Sequence, residues 1–141
     1  MATLAPSTPA TTPAVWTGRV LSGLFVLFML GASIAPKLLG MEVAAQTLTD
    51  LGWPDVNRNV LMIGIFELTF VILYLIPRTS VLGAVLMTAL IGGAMATHIR
   101  VGSPLFSHTL FGIWLGLFLW GGLWLRDERL RRLLPLSRPA T

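Results

Sequence analysis

Cysteine is missing from the sequence altogether, which removes disulfides, thiolate metal sites and dithiol redox pairs while leaving the compartment open. Charge is scarce too. Ten basic and six acidic residues stand among 141, and they gather in the gaps between apolar runs. There is no Ser-His-Asp set, no glycine-rich phosphate loop and no spacing of metal ligands, so no metal site is expected and hydrolytic or nucleotide chemistry finds no support. The net charge of +4 is modest and sits mostly in Arg126, Arg129, Arg131, Arg132 and Arg138. There it suits anionic lipid headgroups, and a nucleic-acid partner is not expected.

What is present is apolar. Hydrophobic residues make up 55% of the chain, more than a soluble domain can hide. A bilayer core about 30 Å thick takes roughly 20 apolar residues per helix, so the apolar blocks account for nearly the whole chain as spans. The expected fold is all-α: an integral membrane four-helix bundle with a short amphipathic helix between the first and second spans. The lipid bilayer is the first partner.

Along the chain, residues 1–14 hold Pro6, Pro9 and Pro13 among Ala, Ser and Thr and read as a flexible tail. The first span is expected over 15–35, with Arg19 one turn inside and Pro36, Lys37 and Gly40 ending it. Ser33-Ile34-Ala35 is similar to a signal-peptide cleavage site. The long apolar run, the lack of a basic residue before Arg19 and the proline after the cut argue for retention as a span. Over 41–51, Met41, Ala44, Ala45, Leu48 and Leu51 fall on one helical face and Glu42, Gln46, Thr49 and Asp50 on the other. That is an amphipathic helix, stopped by Gly52, suited to lying flat on the mouth of a bundle.

The second span is expected over 57–76, opened by Asp55 as N-cap and closed by Tyr74 and Pro77-Arg78. The third, over 79–99, follows a turn short enough to force an antiparallel hairpin, and it carries Gly83, Ala84, Ala89, Gly92, Gly93, Ala96 and Thr97, which let backbones approach. Ser103-Pro104 reads as N-cap and first helical residue of the fourth span, 104–125, with Gly112 and Gly116 as a close-packing pair. A charged helical extension runs over 126–132, and 135–141 reads as a second flexible tail. Basic residues bias the ends: Arg19, Arg78 and the five tail arginines on one side against Lys37, Arg58 and Arg100 on the other. That asymmetry places both termini in the cytoplasm of a multi-pass protein of a bacterial inner membrane.

Ionisable groups inside spans carry the most information, because each needs a partner, a cavity or water. Glu67 lies about 15 Å below the outer surface, counting helical rise from Asn57. Antiparallel packing brings His98 and His108 to similar depths, with Glu67 about 6 to 10 Å deeper, a gap that Lys37 or Arg100 can close by pointing down. Lys37, Glu67, His98, Arg100 and His108 are therefore the candidate ligand-binding cluster. Simpler roles stand beside that one. Glu67 can be a structural carboxylate tied to Lys37 or Arg100, those two can be boundary charges, and the histidines can be hydrogen-bonded interface residues or, at the extreme, axial ligands of a haem iron. The glycines and tryptophans read as packing and interface residues.

Several stretches together resemble the DoxX-like family of small bacterial membrane proteins. They are Gly31 to Leu39 with its Pro36-Lys37, Gly64-Ile65-Phe66-Glu67-Leu68, Leu73 to Arg78, Leu82-Gly83-Ala84, and Gly92-Gly93-Ala94-Met95-Ala96-Thr97-His98-Ile99-Arg100. The resemblance covers about Trp16 to Leu134 and implies a four-helix membrane bundle with Lys37, Glu67, His98 and Arg100 on the motif positions. The family takes its name from a small membrane subunit of a thiosulfate:quinone oxidoreductase, and other relatives are linked to redox homeostasis.

The leading expectation is an outward-facing polar pocket for a small molecule, a quinone headgroup or an anionic sulfur species, with Glu67 as the acid-base or hydrogen-bonding group and quinone as the one cofactor suggested. Whether the chain is itself an enzyme, such as a membrane subunit of an oxidoreductase, stays open at this level. The alternative is a non-catalytic accessory or assembly subunit that packs on another membrane protein or on copies of itself through its small-residue faces. A small proton-coupled carrier ranks below both, because the spans lack the paired breaks of many transporters.

Overall fold

A computed structural model describes residues 12–134 as a helical membrane protein without strands among those residues. The two expected tails, 1–14 and 135–141, lie outside the described residues except at 12–14. There the helix has already begun, with Thr12 as its N-cap and Pro13 at its first position. Four helices are long and apolar enough to cross a membrane: α1 (Pro13–Leu38), α3 (Val56–Leu75), α4 (Ser80–Arg100) and α5 (Leu105–Arg126). The short α2 (Glu42–Asp50) joins the first two spans, and α6 (Glu128–Leu133) follows the last.

The spans form a ring in the order α1, α3, α4, α5, with α1 lying chiefly along α5 and α3 along α4. Glycine permits the closest crossings. A Cβ on Gly18 would fall 2.7 Å from the carbonyl oxygen of Gly122, and one on Gly122 would fall 2.5 Å from Ser22 Oγ. Gly83 abuts the backbone of Tyr74 where α3 turns into α4. Of the expected pair on α5, Gly112 packs under Met95 while Gly116 faces open space.

Phe25, Met29, Val71, Tyr74, Ala84, Met87, Leu119 and Leu123 make the core. Its one buried tyrosine is fully satisfied. The Tyr74 hydroxyl donates to the Leu119 carbonyl at 2.8 Å and pairs with Ser22 Oγ at 2.8 Å, while the Arg126 guanidinium lies over its ring at 4.9 Å. Outward-facing residues such as Leu27, Leu61, Val85, Trp114 and Leu117 give the bundle the apolar exterior a bilayer requires.

Four local expectations need correcting. Pro36 does not end the first span, because the turn Met29–Ile34 widens to π-helical spacing, with the Ala35 N–H reaching the Leu30 carbonyl five residues back. Proline lacks an N–H and its ring crowds the carbonyl of residue i−4. A wide turn just before it absorbs that defect and lets the helix continue to Leu38. Asp55 occupies the N-cap position of α3 in a left-handed conformation, φ 45°, and its side chain makes no capping bond. The fourth span opens with a second wide turn, Leu105–Thr109, for which Pro104 is the N-cap, and Ser103 turns its hydroxyl to His98 instead. The charged tail is no extension of α5. The chain becomes extended at Asp127, whose carboxylate caps α6 by accepting from the Arg129 and Leu130 N–H groups, and Leu130 is buried in the bundle.

Candidate functional site

The continuation of α1 through Pro36 decides where Lys37 goes. Instead of ending at the surface, Lys37 turns inward against α3, where Gly64 lets the helices close. A Cβ on Gly64 would stand 3.0 Å from Lys37 Cβ and 3.0 Å from Leu38 Cδ2. One turn along α3, Glu67 meets the ammonium. Lys37 Nζ donates to Glu67 Oε2 at 3.0 Å and Oε1 at 3.1 Å, and to the Ser33 carbonyl at 3.1 Å and hydroxyl at 2.6 Å. The Ser33 hydroxyl in turn donates to Glu67 at 3.0 and 3.1 Å. Side-chain exposures of 15% for Lys37 and 8% for Glu67 leave both largely out of solvent. In that setting the carboxylate has a counter-ion and two kinds of donor, and the lysine a full set of acceptors.

The triad lies on the wall of a cavity of about 780 Å³. Phe28, Met29, Leu48, Ile91, Phe111 and Leu115 supply much of its apolar lining, and Trp53 stands among them. Its further polar groups include Thr47, Thr97, His98 and His108. Helix α2 forms part of the enclosure through Val43, Ala44, Thr47 and Leu48, while Ala44 and Leu48 also pack on Val60 of α3. Its glycines Gly40 and Gly52, at φ 66° and 71°, turn the chain at either end as only glycine readily does.

The two histidines do meet. Their ring centroids are 5.3 Å apart, tilted by 57°. His98 Nδ1 lies 2.9 Å from Ser103 Oγ and His108 Nδ1 lies 2.8 Å from Ser107 Oγ. A haem iron does not fit between them. Axial ligands stand on opposite faces of the macrocycle, with centroids about 6.4 Å apart at Fe–N distances of about 2 Å.

Arg100 is the candidate placed elsewhere. Its guanidinium donates to the Leu51 carbonyl, clamping the C-terminal end of α2, and it does not line the cavity. Of the five candidates, then, four border one cavity and the fifth secures the helix that covers it. Ser33 and Trp53 were not among them. The spacing Ser33-x-x-x-Lys37, one helical turn apart, was the one available signal for the serine, and it becomes readable only once the helix is known to pass through Pro36.

Comparison with curated proteins and with solved structures gave no match. The model of the DoxX-like family matches residues 20–122, most of the chain, and the protein belongs to that family.

Proposed function

Taking the chain as a DoxX-like membrane protein, we propose that its cavity binds a small amphipathic molecule of the quinone-headgroup type. The observation that carries this reading is the cavity itself. Its volume suits a small ligand, its wall is mostly apolar, and the Ser33–Lys37–Glu67 triad offers donors and an acceptor at a fixed place on it. A flat ring fits against Phe28, Ile91 and Phe111, and a ligand carbonyl oxygen accepts from the Lys37 ammonium by displacing the Ser33 carbonyl from it. An anionic sulfur species fits less well. The Lys37 ammonium is already neutralised by Glu67, and Arg100 is committed to Leu51. Glu67 orients the Lys37 ammonium by accepting its hydrogen bonds at both carboxylate oxygens. The basic-residue bias directs the cavity to the outer face, with both termini cytoplasmic.

Trp53 supplies the assay, because quinones quench indole fluorescence on contact. Titrating purified protein with a short-tailed ubiquinone analogue is expected to give a saturable component of quenching, above the linear quenching of the exposed Trp16 and Trp114, that Trp53→Phe removes. Glu67→Gln is expected to weaken binding by about tenfold or more, the worth of a charge-assisted hydrogen bond. A flat titration in the parent protein, with Glu67→Gln lowering only the melting temperature, would instead establish the accessory-subunit reading.

A further inference from the structure

The histidine pair at the cavity wall is not used by the quinone reading, and its ring spacing leaves room for one shared ion. Each Nδ1 faces a serine hydroxyl, at 2.9 Å for His98 and 2.8 Å for His108. When Nδ1–H donates to that oxygen, the proton is fixed there and the Nε2 lone pair is free, as in metal-ligating histidines held by an outer-shell acceptor. A metal about 2.0 Å from each Nε2 lies about 3.2 Å from each ring centroid, so rings 5.3 Å apart subtend about 110° at the ion. That is the angle of two adjacent ligands in a tetrahedral or trigonal site.

The remaining surroundings select the ion. Met95, three residues before His98 on α4, packs its sulfur over Gly112, which is one turn from His108 on α5, and it lines the same cavity. Among the described residues no group of three His, Asp, Glu or Cys side chains is placed to share a metal, so no carboxylate joins this pair to neutralise a divalent ion. Two imidazoles oriented by serines and a thioether, with no carboxylate beside them, suit a soft monovalent ion. We propose that His98, His108 and Met95 bind one Cu(I) at the wall of the cavity, with Ser103 and Ser107 as the groups that orient the imidazoles. The proposal is independent of the quinone reading, because metal occupancy and indole quenching are read separately.

The full chain in lipid nanodiscs, titrated anaerobically with Cu(I) in ascorbate against bicinchoninate as a coloured competitor, is expected to take up one equivalent. His108 is exposed, so His108→Gln should keep the parent melting temperature and lose the equivalent, as should His98→Gln. Ser103→Ala should retain stoichiometry with an affinity lowered by about tenfold. X-ray absorption of the loaded protein should show two imidazoles and one sulfur, the sulfur disappearing in Met95→Leu. Three results would overturn the proposal: no stoichiometric uptake, an equivalent retained in His108→Gln, or Zn²⁺ bound more tightly than Cu(I) by the parent protein.

Discussion

At the scale of single residues, the Lys37–Glu67 pair is where stability and function meet. Removing one partner strands a charge in a site that is largely out of solvent, whereas replacing both with apolar groups removes the problem altogether. Glu67→Ala is therefore expected to destabilise by about 2 kcal/mol, below the cost in a dry core because the pair borders a cavity. The double variant Lys37→Met with Glu67→Leu should recover most of that loss. Thermal unfolding in detergent compares the two, and a double variant worse than the single would refute the coupling. Tyr74→Phe tests the other polar knot. It deprives the Leu119 carbonyl and the Ser22 hydroxyl of their partner and should cost about 1 to 2 kcal/mol with no effect on ligand quenching. Glu67 could be singled out from sequence because an acid in mid-span stands alone against its neighbours. The destination of Arg100 could not, since a carbonyl at the end of another helix carries no mark in the residue that exposes it.

Among the elements, α1 and α5 are bound by the mutual approach of Gly18 and Gly122, which makes those two glycines costly to replace. Gly122→Ala should force the helices apart and lower stability by about 1 to 3 kcal/mol. Gly23→Ala, on α1 but with nothing within 4 Å of the added Cβ, should be neutral or slightly stabilising through helix propensity. Equal melting temperatures for the two would contradict this packing. The spans themselves were readable because hydropathy over some 20 residues is a strong, averaged signal. The wide turn at Met29–Ile34 was not. A sequence announces a proline but not the spacing by which a helix passes it, so the span was expected to stop at Ala35, with Lys37 reaching Glu67 only by pointing down from the outer layer. Likewise, the break at Asp127 stands among residues that mostly favour a helix, and the one mark of it is the N-cap preference of Asp127 itself. Deleting Ala32 should return this first wide turn to α-helical spacing, the turn having held one extra residue, so Lys37 should stay against Glu67 and ligand quenching should be retained.

For the molecule as a whole, an even number of spans puts the two described ends on one side, and the charge bias is the ground for proposing that this side is cytoplasmic. Lys37 counted toward the opposite side in the sequence, yet it is neutralised inside the bundle. Its removal from the tally leaves only Arg58 and Arg100 against the arginines at the terminal ends. A phosphatase fused after the last residue is thus expected to be inactive and a fluorescent protein fused there to shine; the reverse pattern would invert the topology. The ring order described for the spans also bears on biogenesis. During synthesis α3 and α4 emerge in succession and pair as a hairpin, whereas α1 finds its main partner, α5, only when the last span leaves the ribosome. Until then Ser22 and the Gly18 face stand open to lipid. A chain truncated before α5 is therefore expected to leave the Gly18 face without its packing partner.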